Sequence, residues 1–353
     1  MKICLIADTH WGIRGDVITF HDYFKKSVHE FLFPYLRENN IKHIIHLGDV
    51  VDRRRQINYM TAHRLRTDFL QPVNNEFQMD IIVGNHDTYF KNTNELNALH
   101  ELIDGKYENI KIFTGPTTIN DKDIPLLYVP WMCEDNIEQT ISEIKSTNAQ
   151  ICLGHLDLAG FEMHKGSLSY HGFDHKIFDK FDLVCTGHFH HKSTIDNINY
   201  LGAFAEYYWS DAEDPRGFHM FDTETRQLEF VQNPFTMFKK LYYDDANNSM
   251  DNVLSIPDDL CERHLKIIVK NKTNPYWFDL YIDKIEEQSP SDIKVIEDSL
   301  SIDFGDDNGF IDEAQDTVTI FKSYIEQLNL NNSKRDKLQK TIIGLYQEAI
   351  TIQ

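Results

Sequence analysis

Short apolar runs punctuate the first 235 residues of the chain, at 2–7, 42–47, 79–83, 126–129, 150–153 and 182–185. Each run is near-continuous rather than alternating, the pattern of a strand covered on both faces. Stretches with helical spacing lie between them, at 19–38, 58–77 and 134–145. This alternation predicts an α/β sandwich built around mixed or parallel sheets. A later block, 193–203, 217–222 and 226–232, reads as hairpins, with Glu224 and Thr225 at the last turn.

The pattern changes near 239–260, a segment rich in Asp, Asn and Ser that contains Pro257. Beyond it, 265–270, a helical stretch at 276–287 and 293–296 predict a small β-α-β cap. Residues 301–309 are acidic and glycine-containing, as a linker would be. Two helical patterns follow. One carries Val318, Phe321, Ile325 and Leu328, and the other Leu338, Ile342, Leu345 and Ala349, with Ser333 and Asp336 spaced as a capping box. The expected division is a main domain at 1–238, a cap at 239–300, an acidic linker at 301–311 and a helical region at 312–353.

Composition narrows the class. Of 353 residues, 41% are hydrophobic and 12% aromatic, which fits a folded globular chain rather than a disordered one. No apolar run reaches the roughly 18–20 residues of a membrane helix. The first run ends in Asp8, so it predicts a strand and not a leader. Five scattered cysteines without a C-x-x-C pair predict free thiols in a reducing cytoplasm. A net charge of −21 disfavours unaided DNA binding. That charge is uneven, however: residues 279–316 hold thirteen acids and two lysines, whereas Arg53, Arg54 and Arg55 stand together in the N-terminal half.

The chemistry sits where five strands end. The first runs into Asp8-Thr9-His10, the second into Gly48-Asp49-Val50-Val51-Asp52, the third into Gly84-Asn85-His86-Asp87, the fourth into Gly154-His155 and the fifth into Gly187-His188-Phe189-His190. Ligands of open α/β sheets collect at the carboxyl ends of strands, so the five clusters can share one crevice. In extended chain, residues two apart project to the same side, which pairs Asp8 with His10 and His188 with His190. The set mixes imidazole, carboxylate and one amide oxygen without thiolate, which suits manganese, iron or zinc rather than a structural cysteine site. Taken singly, Asp8 with His10, Asp49 with Asp52, or Gly154-His155 would be ordinary strand-end or turn residues. Together and in order, they are hard to explain as structure alone.

The ordered strings D-x-H, G-D-x-x-D, G-N-H-D, G-H and G-H-x-H resemble the calcineurin-like metallophosphoesterases over about the first 220 residues. The stretches around Trp11-Gly12, Gly48 to Arg53, Val129-Pro130-Trp131-Met132 and Tyr200-Leu201-Gly202 resemble the SbcD nuclease family, and most of all the small recombination-nuclease subunit of T-even phages. The chain departs from that pattern at Gly202-Ala203-Phe204, where the family often has a proline.

The resemblance implies a metallophosphoesterase β-sandwich flanked by helices, with a small α+β cap and a C-terminal helix pair. It implies two divalent metal ions, manganese first, with magnesium, iron or zinc as alternatives. Asp8, His10, Asp49 and His190 would hold one ion. Asp49, Asn85, His155 and His188 would hold the other, with Asp49 bridging. His86 would face the scissile phosphate and Asp52 would orient its ring. Arg53, Arg54 and Arg55 are candidate DNA contacts. The implied partners are DNA, a second copy of the chain through helices near 19–38 and 58–77, and an SbcC-like ABC-type ATPase with a coiled coil. The ATPase would be gripped by Val318, Phe321, Ile325, Leu328, Leu338, Ile342 and Leu345.

The expected function is a manganese-dependent DNA nuclease of double-strand-break repair and recombination. It would act as an exonuclease on duplex ends and an endonuclease on single strands or hairpins, in a bacterial or phage-infected cytoplasm. The alternatives are a phosphomonoesterase or cyclic-nucleotide phosphodiesterase of the same fold, or a non-enzymatic scaffold for the ATPase.

Overall fold

A computed structural model describes residues 1–120 and 123–297, with isolated positions 325, 334, 335, 337–339 and 341 beyond them. Met1–Asp303 form one compact unit and Phe304–Gln353 a second. In the second, the described positions, among them Ile325 and Leu338, are helical. Val318, Phe321, Leu328, Ile342 and Leu345, like the linker at 301–311, lie outside the described residues.

Among the described residues, seventeen strands can be followed through the first unit: β1 (Lys2–Ile6), β2 (His43–His46), β3 (Gln78–Ile82), β4 (Ile110–Phe113), β5 (Thr117–Ile119), β6 (Leu126–Val129), β7 (Ile151–His155), β8 (Glu162–His164), β9 (Ser167–Leu168), β10 (Leu183–Gly187), β11 (Ser193–Ile195), β12 (Ile198–Tyr200), β13 (Gly217–Asp222), β14 (Leu228–Gln232), β15 (Phe238–Asp244), β16 (His264–Asn271) and β17 (Asp292–Glu297). One six-stranded sheet has the order β14-β13-β1-β2-β3-β4, and a second the order β11-β12-β10-β7-β6-β5. β1, β2, β3 and β4 run parallel. So do β6, β7, β10 and β12. β13 and β14 at one edge of the first sheet, and β11 and β5 at the two edges of the second, pair antiparallel with their neighbours.

The apolar runs explain this stacking. Leu5, Ala7, Ile45 and Ile82 of the first sheet meet Leu126, Tyr128, Ile151, Leu153 and Cys185 of the second in one core. The alternate residues Leu127, Val129, Cys152 and Val184 face the other way, into a layer closed by Ile144 of helix Ile137–Ser146 and by Phe178. Both sides of these strands are therefore dry, and no polar alternation survives in the sequence. Cys4, Cys133, Cys152 and Cys185 are buried free thiols, and Cys261 is exposed. No helix among the described residues is long and apolar enough to cross a membrane.

β15, β16 and β17 form a separate parallel sheet. Helix Pro275–Glu286 packs on it through Phe278, Tyr281 and Ile285, and the Asn274 side chain caps it by accepting from the Tyr276 and Trp277 amides. The Asp- and Asn-rich segment after 238 thus begins as a strand, with Leu241 and Tyr243 buried. Glu206, itself buried, accepts the Met237 and Phe238 amides at 2.7 and 2.9 Å and ties the entry of β15 to the loop before β13.

Candidate metal centre

All five strand-end clusters meet at the carboxyl ends of β1, β2, β3, β7 and β10. Hydrogen bonds between main chains lace the loops together. The Asp8 amide donates to Gly48, His10 to Asp49 and Trp131 to Val83, at 3.1, 3.0 and 2.8 Å. This close approach explains two of the glycines. A Cβ on Gly48, whose φ is 89°, would collide with the His155 ring, and one on Gly84 with the amide and carboxylate of Asp49.

Two groups of side chains result. Asp8, His10 and His190 bring their oxygen and nitrogen atoms within 4.8 Å of one another, and so do Asp49, His155 and His188. Asn85 joins the second group, its Oδ1 lying 2.9 Å from both His155 Nε2 and His188 Nδ1. Asp49 stands between the groups: its Oδ2 is 3.3 Å from His155 Nε2 and 3.7 Å from His10 Nε2.

The donor set fits divalent cations. His155 Nδ1 donates to the Leu47 carbonyl at 2.7 Å, which leaves a lone pair on Nε2. That nitrogen faces Asn85 Oδ1 and Asp49 Oδ2, so one proton or one metal ion can be shared among the three. Burial would lower the His155 ring, but Asp49 and Asp8 outweigh it and raise it to about 9, so a proton fills this space unless a metal ion takes its place. His10 Nε2 and His190 Nε2 lie 3.0 Å apart, one donating to the other, a position that a metal ion can take from the shared proton.

Charge points the same way. Burial, with the charge of Asp49 adding to it, pushes the Asp8 carboxyl up to about 8. Burial would also raise Asp49, but His155, His86 and His10 overcome it and hold that carboxyl well below the usual range. Burial, then repulsion from His86, lowers His10 to about 3; burial, then His155, lowers His188 to about 3. Neutral imidazoles beside a buried carboxylate are ready ligands.

Several backbones are strained here. Asp8, His10 and Asp49 have φ of 52°, 43° and 55°, and His188 has 92°. The extended-chain pairing therefore does not hold. Asp8 and His10 meet through a left-handed bend, while His188 and His190 part, one toward Asn85 and the other toward His10. Non-glycine residues in this region cost about 1–3 kcal/mol each and cluster at functional sites.

His86 lies at the edge, within 4.8 Å of His10 and Asp49. Its Nδ1 donates to the Asp52 main-chain carbonyl at 2.5 Å, which leaves Nε2 for chemistry. The orienting group is thus the carbonyl of Asp52, not its carboxylate; that carboxylate lies 3.6 Å from His10 Nδ1 instead. Burial lowers the His86 ring, but Asp49 and the Asp52 carbonyl outweigh it and raise its pKa.

The three arginines diverge. Arg53 pairs with Asp16 at 3.3 Å, and Arg55 lies over the Tyr89 ring. Arg54 is close enough to add its charge to both His86 and His188. Trp131 borders the centre, its ring 5.2 Å from that of His188.

Two further residues support the centre: Asp87, which ends the G-N-H-D string, and Tyr207, which no string marks. The Asp87 carboxylate accepts the amides of Gly84, Asp49, Val50 and Val51 and so fixes two of the loops. Fully buried Tyr207 donates to the Asp8 carbonyl and packs its ring edge-on against His10 and His190, at 5.6 and 5.4 Å. One residue thus touches all three members of one group. Tyr207→Leu is expected to weaken manganese binding at that group by about 10–100-fold, the range for outer-shell changes, while the Asn85 group keeps its affinity. Calorimetric titration resolves the two classes; equal weakening of both would show a general loss of structure.

Residues 1–192 match the family model described as calcineurin-like phosphoesterase. Exonuclease subunit 1 of Enterobacteria phage T4 is 31% identical over 355 residues, covering 99% of each chain. The SbcD component of the SbcCD nuclease of Staphylococcus epidermidis is 26% identical over 308 residues, 79% of each. A solved archaeal phosphodiesterase is 13% identical, covering 66% of this chain and 99% of its own, with a TM-score of 0.33.

Proposed function

The chain belongs to the calcineurin-like phosphoesterase family, and on that premise we propose that it is a metal-dependent DNA nuclease of repair and recombination. The observation that carries the reading is the pair of donor groups sharing Asp49, with His86 and Arg54 beside them. In this reading Asp8, His10, Asp49 and His190 hold one divalent ion and Asp49, Asn85, His155 and His188 the other. When bound, two such ions supply Lewis acidity and a water of lowered pKa for in-line attack at phosphorus. Manganese suits the mixed oxygen and nitrogen donors.

The protein's own groups do the rest. His86, held through Nδ1 by the Asp52 carbonyl, presents Nε2 to the phosphate and donates a proton to the leaving oxygen. Arg54 adds positive charge beside His86 and His188, where a phosphate oxygen would lie. The names of the relatives, an exonuclease and a nuclease, favour DNA over a phosphomonoester or cyclic nucleotide. Incubation with linear duplex DNA, single-stranded DNA, a phosphomonoester and a cyclic nucleotide, each with and without manganese, tests the reading. Manganese-dependent cleavage of DNA is expected; hydrolysis of the monoester alone would overturn it.

Both relatives are named as parts of larger nucleases, which supports a partner, here an ATPase carrying a coiled coil, bound through the 312–353 region in the cytoplasm. A homodimer is supported by the helices starting at Ile18 and Tyr59. Asp16 and Asp22 bond to Thr61 and Arg64 at 2.5 and 2.7 Å, and exposed Val17, Ile18, Tyr59 and Met60 cluster at those ends. In light scattering the protein is expected to run as a dimer. Deletion of 310–353 should keep that dimer and abolish co-purification with the ATPase. A micromolar monomer, or full partner binding by the truncated chain, would contradict these assignments.

A further inference from the structure

Beside the metal centre, two segments touch at two places, three residues apart on each. At one end the Asp52 carbonyl meets His86 Nδ1 at 2.5 Å, and at the other the Arg55 guanidinium lies 5.9 Å from the centre of the Tyr89 ring. Tyr89 is followed by Phe90, the two rings meeting edge to face at 4.7 Å. Both are exposed, at 37% and 48%, and Leu96 beside them is 41% exposed. The Tyr89 amide donates to the Leu96 carbonyl at 2.9 Å, so the three form one apolar patch.

The loop that carries these rings is firmly anchored. Buried Asn94 donates to the Thr114 and Trp131 carbonyls at 3.1 and 2.8 Å. Buried Asn97 donates to the Asn94 carbonyl at 2.8 Å, and the Ala98 amide to Asp87 at 2.7 Å. The rings are thus held in water by a fixed frame, where the hydrophobic effect would otherwise fold them inward. In a chain of net charge −21, Arg55 at the Tyr89 ring and Lys91 next to Phe90 are cationic, and Glu95 before Leu96 is acidic.

We propose that Tyr89 and Phe90 form a stacking platform for an unpaired base of the strand being cut, so that cleavage requires single-stranded or frayed DNA. This rests on the nuclease reading and adds the feature of the substrate that is recognised. Three residues span at most about 11 Å, so the platform lies within reach of the nucleotides next to a phosphate at His86. Arg55 braces one ring and Arg54 and Lys91 offer charge to the backbone, the combination of aromatic face and cation that holds single strands. A base paired within a duplex has both faces covered and cannot reach these rings.

The test uses the manganese-loaded, full-length protein and a single-stranded oligodeoxynucleotide, intact or with one abasic nucleotide placed successively beside the cleaved bond. Tyr89→Ala combined with Phe90→Ala is expected to lower kcat/KM by about 5- to 150-fold, the equivalent of one stacked base, while Phe90→Trp retains it. At one position the abasic nucleotide should cost the wild type a similar factor and cost the double variant nothing more. Undiminished cleavage by the double variant, or an abasic penalty equal in both proteins, overturns the platform alone. If the wild type cuts no DNA, the nuclease reading fails and the platform with it.

Discussion

Asp49→Ala is expected to remove both bound ions at once and to lower DNA cleavage by about a thousandfold or more, since a pair of metal ions contributes several kcal/mol at phosphorus. The reason is position. Asp49 Oδ2 lies 3.3 Å from His155 Nε2 in one group and 3.7 Å from His10 Nε2 in the other, and the carboxylate is held charged by the histidines around it. His10→Ala and His155→Ala each remove a donor from one group only, so each should weaken chiefly one ion. Loss of fold has to be read separately, because Asp49 also accepts the His86 amide at 2.8 Å and the histidines around it favour its charge in the fold. Metal content per chain by elemental analysis, alongside circular dichroism, checks the outcome. Loss of a single ion would show that Asp49 does not bridge.

His86→Ala should do the opposite. Both ions remain, and kcat falls by about 100- to 10,000-fold, the range of a general acid. Substrate affinity should change little. His86 is near enough to His10 and Asp49 to be mistaken for a ligand, and the two roles are separable only by this comparison. Its Nδ1 is committed to the Asp52 carbonyl, so Nε2 alone serves either role. If the variant binds one ion fewer, His86 is a ligand; if it cleaves at a near-normal rate, it is neither.

Much of this centre was legible because the fold makes it so. Strands dry on both faces leave continuous apolar runs, and each run ends where the chain reaches polar ground. There Asp8, Asp49, Asn85, His155 and His188 stand out against Leu, Ile and Val. The details were hidden for physical reasons. Period-two alternation assumes extended backbone, and the left-handed φ of Asp8, His10, Asp49 and His188 breaks it. Tyr207 sits in a loop between β12 and β13 that has no period, so nothing in the sequence marks a ring that touches His10 and His190. The Asp52 carboxylate looked like the partner of His86, yet the contact is made by the main chain, which no residue type can announce. Arg53, Arg54 and Arg55 are equal as letters, and only their surroundings separate them: Arg53 pairs with Asp16, Arg54 sets its charge near the two histidines, and Arg55 lies over Tyr89. β15 was masked by the Asp and Asn that follow it, although Phe238, Leu241 and Tyr243 are buried.

The central claim is a two-ion centre built on Asp49. Anomalous scattering from a manganese-loaded crystal tests it most directly. Two peaks are expected, one among Asp8, His10 and His190 and one among Asn85, His155 and His188, both touching Asp49. A single peak, or manganese bound away from these residues, would contradict the account.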